Sequence, residues 1–210
     1  MNTVWTFGDS LTDGFRSDNI WAKKYVEWKG YIPLTYGEII SKKLNYNLIN
    51  LGKGGSDNNT IFESFIKNID NIKDGDIVII GWSDIGRFRL ATKNNSWNSF
   101  VPNHENNYTD MENISNQTIM ELCVNRLSDV YISEINIWIN FIKKTVKNFK
   151  VINWSTFNQG KIDGIFVKDI EQITNETNGV IKDAHFSEKG QKQLSEILLS
   201  KINGNNKKII

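Results

Sequence analysis

The sequence predicts an α/β fold, a three-layer α/β/α sandwich around a parallel sheet. Three observations predict it. Apolar runs of strand length alternate with amphipathic segments of helix length, the pattern of a sheet wrapped on both sides. The run Asp76–Ile80 is apolar on both faces, as a strand covered by two layers requires. The chain has 210 residues, enough for one such domain with a sizeable core.

The elements follow in order. Val4–Phe7 reads as the first strand. Leu34–Leu44 reads as a helix opened by Pro33, where a missing N–H costs little. Asn47–Leu51 is the second strand. Asn58–Ile69 is a helix with Ile61, Phe62, Phe65, Ile66 and Ile69 on one face. Asp76–Ile80 is the third strand. Leu127–Val146 is a long helix with Val130, Ile135, Trp138, Ile142 and Val146 on its core side. Val151–Trp154 is the fourth strand, and Val180–Lys182 is the candidate for a short fifth. Glu188–Ile202 closes the chain as a helix, with Ser187 as N-cap and Leu194, Ile197, Leu198 and Ile202 facing in. Two stretches stand outside the pattern. Arg16–Ile32 is polar and carries Trp21, Tyr25, Trp28 and Tyr31; Ala91–Gln117 is Asn-rich, with Trp97, Phe100 and Tyr108. Their rings either stack on a sugar or peptide, or close small satellite cores. The expected organisation is a single domain over 1–205 with an irregular insertion at about 91–117.

Composition narrows the function. The 25 basic and 24 acidic residues leave a net charge of +1 and are spread along the chain, which argues against a nucleic-acid partner. The late pair Lys207-Lys208 reads as a solvated terminus. The single cysteine, Cys123, excludes an internal disulfide and a Cys-rich metal site, and reads as a buried small hydrophobe. No His, Asp or Glu cluster has ligand spacing, so neither metal nor other cofactor is expected. No apolar run approaches the ~20 residues of a membrane span. No signal peptide precedes the first strand, so the expectation is a chain made in a cytosol, or a mature form, with non-classical export or particle association left open.

The strand ends carry the chemistry. In an open parallel sheet, ligands sit beyond the carboxyl ends of the strands. Gly8-Asp9-Ser10-Leu11-Thr12-Asp13-Gly14 follows the first strand. A serine there has a fixed position and unpaired backbone N–H groups nearby, which a nucleophile and its oxyanion both need. The plainer reading is an ordinary strand-to-helix turn. Gly52-Lys53-Gly54-Gly55-Ser56-Asp57-Asn58 follows the second strand, where glycine lets the backbone approach a ligand. The Lys-Ser/Thr ending of a phosphate-binding loop is missing from it. Gly81-Trp82-Ser83-Asp84 follows the third strand and offers a hydroxyl donor. Asp183-Ala184-His185 precedes the last helix and supplies a base with an orienting carboxylate. The other histidine, His104, sits in the irregular insertion near Pro102 and Glu105.

In the order Ser10, Gly55, Ser83, Asp183, His185 the chain resembles the SGNH hydrolases, also called GDSL-type esterases and lipases. The likeness runs from Gly8 to Gly190. Gly8-Asp9-Ser10-Leu11 matches the family's first block letter for letter, and Asn50-Leu51 through Gly55 and Asn58 fits its second. The resemblance implies a flavodoxin-like sheet, Ser10 as nucleophile, and an oxyanion hole from the N–H groups of Ser10 and Gly55. Two departures stand out. The third block usually reads Gly-x-Asn-Asp, and here Ser83 takes the place of the asparagine as a candidate oxyanion donor. Gly-Trp-Ser followed by Arg87 is similar to a branch found in phage and bacterial polysaccharide-related gene sets. The last block is usually Asp-x-x-His, and here it is Asp-x-His, so a Ser–His dyad stands beside the full triad. Asp9, Asn58, Trp82, Asp84 and Arg87 flank these blocks and are the candidate substrate-binding residues.

The resemblance implies a serine esterase using Ser10, His185 and Asp183 on small, acetyl-like esters. Acylated carbohydrate is the candidate substrate class. Two alternatives stand beside it: an O-acyltransferase using the same serine, and a glycan-binding or particle-structural protein with a degenerate hydrolase site. The oligomeric state is open.

Overall fold

The computed structural model describes residues 1–16, 18–91, 97–100, 121, 128–146, 148–157 and 161–204. Pro102, His104, Glu105, Tyr108, Cys123, Lys207 and Lys208, with most of the expected insertion, lie outside the described residues.

The sheet is assembled from β1 (Thr3–Phe7), β2 (Asn47–Asn50) and β3 (Ile77–Gly81). Between them come α1 (Ile20–Lys29), α2 (Tyr36–Leu44) and α3 (Asn58–Asn68). A hairpin follows, β4 (Phe88–Ala91) paired antiparallel with β5 (Trp97–Phe100), then α4 (Ser128–Thr145). The chain returns through β6 (Lys150–Ser155), β7 (Ile165–Phe166), the single turn α5 (Ile173–Glu176) and α6 (Glu188–Ile202). Among the described residues the main sheet has the order β2-β1-β3-β6-β7, with each adjacent pair parallel. Thus the α/β sandwich expected from the sequence is the fold. The direction of strand addition reverses at β1, so a topological switch point lies between β1 and β3, where open sheets bind ligands.

Alternation along the strands divides the core in two. Val4, Ile77, Ile79, Ile152 and Trp154 pack with Tyr36 and Ile40 of α2 and Leu194 and Leu198 of α6. Trp5, Phe7, Val78 and Ile80 point the other way, onto Ile61 and Phe65 of α3 and Ile135, Ile139 and Ile142 of α4. Residues one apart on a strand thus serve opposite layers. The helix starts follow from local chemistry. Thr35 and Glu38 form a capping box at α2, so Pro33 lies before the helix rather than at its first turn. Asp57 caps α3 and Ser187 caps α6 through the N–H groups of Thr60 and Gly190.

Four local readings are corrected. Arg16–Ile32 contains α1, which buries Ala22 and Tyr25 against Phe15 and Ile173 as a small third core. Within the stretch read as irregular, Trp97–Phe100 forms a strand. The fifth strand of the main sheet is Ile165–Phe166, and Val180 lies in a turn, 75% exposed. Val130 on α4 faces solvent at 59% exposure, because the apolar seam begins only at Ile132 and Ile135. No helix among the described residues is long and apolar enough to cross a membrane.

Candidate active site

The turn after β1 is shaped by backbones in close approach. A Cβ on Gly8 would stand 2.1 Å from Thr12 Oγ1, and one on Gly52 would stand 2.7 Å from the Asp13 nitrogen. The N–H groups of Thr12 and Asp13 both donate to the Asp9 carbonyl at 3.0 Å. Leu11 N–H donates to Asp9 Oδ1 at 3.0 Å. Asn50 at the end of β2 donates to the Thr12 carbonyl at 2.9 Å and accepts the Gly52 N–H at 2.9 Å. Ser10, buried at the apex, therefore sits on a turn with little freedom.

The sequence places His185 and Asp183 far along the chain, and the fold brings both to Ser10. His185 Nε2 lies 2.8 Å from Ser10 Oγ. Nδ1 lies 2.5 Å from Asp183 Oδ1, which also accepts the His185 backbone N–H at 2.8 Å. That second contact curls the chain into an Asx-type turn, which is how a carboxylate only two residues upstream reaches the ring. The segment is held from α5. The Thr174 hydroxyl accepts the Asp183 N–H and donates to the Asp183 carbonyl, both at 2.7 Å. Ile173 N–H donates to the His185 carbonyl at 2.9 Å. Burial works to raise the Asp183 carboxyl, but the hydrogen bonds and charge of His185 hold it below its ordinary value. An ionised carboxylate at Nδ1 keeps the proton on that nitrogen and leaves Nε2 free to accept one from Ser10.

Donors lie beside the serine. Gly52 N–H is engaged by Asn50, and Gly54 N–H donates to Asp13 Oδ2 at 3.2 Å. The N–H groups of Ser10 and Gly55 have no acceptor among the described residues. A Cβ on Gly54 would lie 3.9 Å from Ser10 Cβ, so this loop runs alongside the serine. Gly55 has φ +78° with open space on its Cβ side, a conformation that favours glycine.

Ser83 is the candidate side-chain donor to the oxyanion. It is fully buried, and its hydroxyl donates to Asp9 Oδ2 at 2.7 Å. Its single proton is thereby directed at a carboxylate beneath the turn. Arg87 Nη1 meets the same Asp9 oxygen at 2.9 Å. Asn58 clamps the Ser83 backbone, accepting its N–H at 2.8 Å and donating to its carbonyl at 3.0 Å. Trp82 is buried in the core with its indole N–H on Asn153 Oδ1 at 3.0 Å. Asp84 accepts the Gly86 N–H at 2.6 Å and closes a local turn. Of the candidate substrate-binding set, then, Asp9 and Arg87 lie beneath the turn that carries Ser10, Asn58 holds the Ser83 backbone, and Trp82 belongs to the core.

Two contributors escaped the sequence reading. Thr174 carried no signal, being one polar residue in a single-turn helix. Trp21 stood in the aromatic stretch, yet nothing in the sequence joined it to His185, on which it stacks at 4.2 Å between ring centroids and 19° between planes. Among the described residues no group of three or more His, Cys, Asp or Glu is arranged to hold a metal ion.

Comparison with solved structures matches this architecture. A variant form of an acetyl-xylooligosaccharide esterase from Geobacillus stearothermophilus aligns over 96% of this chain and 94% of its own, with 15% identity and a TM-score of 0.51. A carbohydrate esterase with divergent catalytic and non-catalytic binding functions aligns over 99% of this chain and 69% of its own, with 12% identity and a TM-score of 0.51. A lipolytic protein of the G-D-S-L family from Desulfitobacterium hafniense aligns over 94% and 98%, with 14% identity and a TM-score of 0.41. For the two structures with a TM-score of 0.51, the likeness at these identities is one of fold. No curated protein matches the sequence. The profile of the GDSL-like lipases and acylhydrolases matches residues 4–198, a span that contains Ser10, Gly55, Asp183 and His185, and the chain belongs to that family.

Proposed function

We propose that the protein is a serine esterase acting on small acyl esters. The observation that supports it is the hydrogen-bonded series Ser10–His185–Asp183. His185 Nε2 takes the proton from Ser10 Oγ as the serine attacks the ester carbonyl. Asp183 steadies the imidazolium that forms. The N–H groups of Ser10 and Gly55 hold the tetrahedral oxyanion. The protonated His185 then gives its proton to the leaving alcohol. A water, deprotonated by the same nitrogen, releases the acyl group and restores Ser10.

In this reading Ser83 lies under the oxyanion hole rather than in it, because its proton is given to Asp9. An acetyl-like acyl group on carbohydrate is the substrate class we favour. Trp28, on the helix that carries Trp21, and Tyr31, just past its end, support it at 47% and 51% exposed, because flat rings suit sugar faces. Turnover of p-nitrophenyl acetate tests the chemistry, with Ser10→Ala as control. Hydrolysis by the wild type and its loss in the variant is the expected result; equal rates overturn the reading. Acetyl transfer to an added sugar in place of water assigns the same serine to an acyltransferase.

A further inference from the structure

We infer that Trp21 is a positioning residue, which covers one face of the His185 imidazole and holds the ring in line between Ser10 and Asp183. The inference rests on His185 acting as the base.

The geometry leaves the imidazole defined on three sides. Its two nitrogens meet Ser10 and Asp183, and the Trp21 indole lies nearly parallel to its plane. Two hydrogen bonds in the ring plane resist rotation within that plane. They do less against tilting out of it, and a stacked indole supplies that restraint. The same face stabilises charge. During catalysis the imidazole becomes a cation, and an indole face is the best aromatic partner for one. Stabilisation that appears only as the cation forms acts on the chemical step rather than on substrate binding.

Packing alone gives a poor reason for tryptophan at this position. Its indole nitrogen is buried and has no hydrogen-bond partner in the structure as described. A buried donor left unsatisfied is destabilising. A phenylalanine would fill much of the site without that donor, so the advantage of the larger ring lies in the stack.

The helix that carries Trp21 is tied to both halves of the site. At its start, Asn19 Nδ2 donates to the Gly14 carbonyl at 2.8 Å, on the nucleophile turn. Further along, Tyr25 donates to Glu176 of α5 and accepts the Glu188 N–H of α6 at 2.8 Å. Lys29 Nζ bridges Glu176 at 2.8 Å and Glu188 at 3.0 Å. These acidic residues lie on the two elements that flank the Asp183–His185 segment. α1 therefore spans the nucleophile and the base, and Trp21 is the residue it delivers to their meeting point. The charged group that meets the imidazole is Asp183, and the elements flanking its segment carry Glu176 on α5, Glu188 and Lys192 on α6, Lys29 on α1, and Asp13 and Arg16 on the Ser10 turn, paired among themselves.

The test compares Trp21→Phe and Trp21→Leu with the wild type on p-nitrophenyl acetate. Trp21→Leu is expected to lower kcat about 10-fold with KM within about twofold, and Trp21→Phe to recover most of kcat, because it keeps an aromatic face. A leucine variant with kcat within twofold of wild type overturns the inference. So does a rise in KM alone, which makes Trp21 a substrate contact, or equal losses in both variants that follow their Tm. A second measurement needs no turnover. The wild-type minus Trp21→Phe difference in tryptophan emission should be quenched on acidification as the imidazole gains its proton, and His185→Gln should abolish that quench. A difference signal that is flat with pH overturns the contact. If the wild type proves inert toward esters while the quench is present, the esterase reading and the catalytic role of Trp21 fall together, and the stack alone stands.

Discussion

The two halves of the site are held in different ways. The nucleophile half is locked by burial. Gly8 and Gly52 admit no side chain, Asp9 carries Arg87 and Ser83 beneath the turn, and Asn50 ties the turn to β2. The base half is suspended on a loop. Asp183 and His185 are pinned by Thr174 and Ile173 of a single helical turn, with Trp21 above, and the ion pairs of Lys29 bracket them at a partly open edge. The lesson concerns the physical means of precision. The turn that presents backbone N–H groups in the proposed mechanism is fixed by close packing and a desolvated ion pair. In the proposed mechanism His185 gains and loses a proton, and it is fixed by hydrogen bonds and ring stacking, which a change of charge can pass through without rebuilding the core.

Removing the chemistry from either half should have equally large effects. Ser10→Ala and His185→Ala should each lower kcat/KM by more than about 10³-fold. Both should keep a native circular dichroism spectrum, and His104→Ala should keep full rate. Activity lost with His104 and retained without His185 would move the base into the insertion.

The next contrast is in stability. Arg87→Met leaves Asp9 buried without its cation, and breaking such a pair costs about 3–5 kcal/mol. Lys29→Met breaks the bracket at the edge, where the carboxylates of Glu176 and Glu188 are 19% and 18% exposed against 4% for Asp9, so the loss should be smaller, about 1–2 kcal/mol. Denaturant midpoints measured side by side check the difference, and equal losses would erase the distinction drawn between the halves.

Ser83→Ala sharpens the point within the nucleophile half. Losing a hydrogen bond to a carboxylate should cost about 1.5–3 kcal/mol of stability. If the hole consists of the Ser10 and Gly55 donors, kcat should stay within about twofold. A drop of 10-fold or more at unchanged KM would put the Ser83 hydroxyl on the oxyanion after all.

The smallest effect is pH-dependent. Lys192, Tyr31 and Lys29 around Glu188 outweigh its burial and lower its carboxyl from 4.5 to about 2. A carboxyl depressed by folding stabilises the fold fully above its unfolded value and loses that contribution as pH falls through its folded value. The Tm gap between wild type and Glu188→Gln should therefore be level from neutral pH down to about 5, then close between about 4.5 and 2. A gap that widens in acid would contradict the ion-pair assignment.

Much of this was legible in the residues, for definite reasons. Val4–Phe7, Ile77–Ile80 and the stripe Ile61–Phe65 declare themselves because burial on one or two faces imposes a period on nearby residues. α1 did not, because Ile20–Lys29 buries only Ala22 and Tyr25 and leaves its other rings half open, which weakens the stripe. β7 did not, because two residues carry no period.

By itself the sequence determined the layered sheet and put Ser10, Gly55 and the Asp183–His185 pair at the ends of its elements. Turn chemistry and periodicity are local, and they survive in the order of residues. Only the tertiary structure decided that the Ser83 proton goes to Asp9, that the short Asp-x-His spacing still reaches Nδ1, and that Trp21 lies on His185. Each of those depends on where a side chain points once segments distant in sequence have packed. That direction is settled by competition among neighbours for space and for hydrogen bonds, which no single stretch of sequence contains.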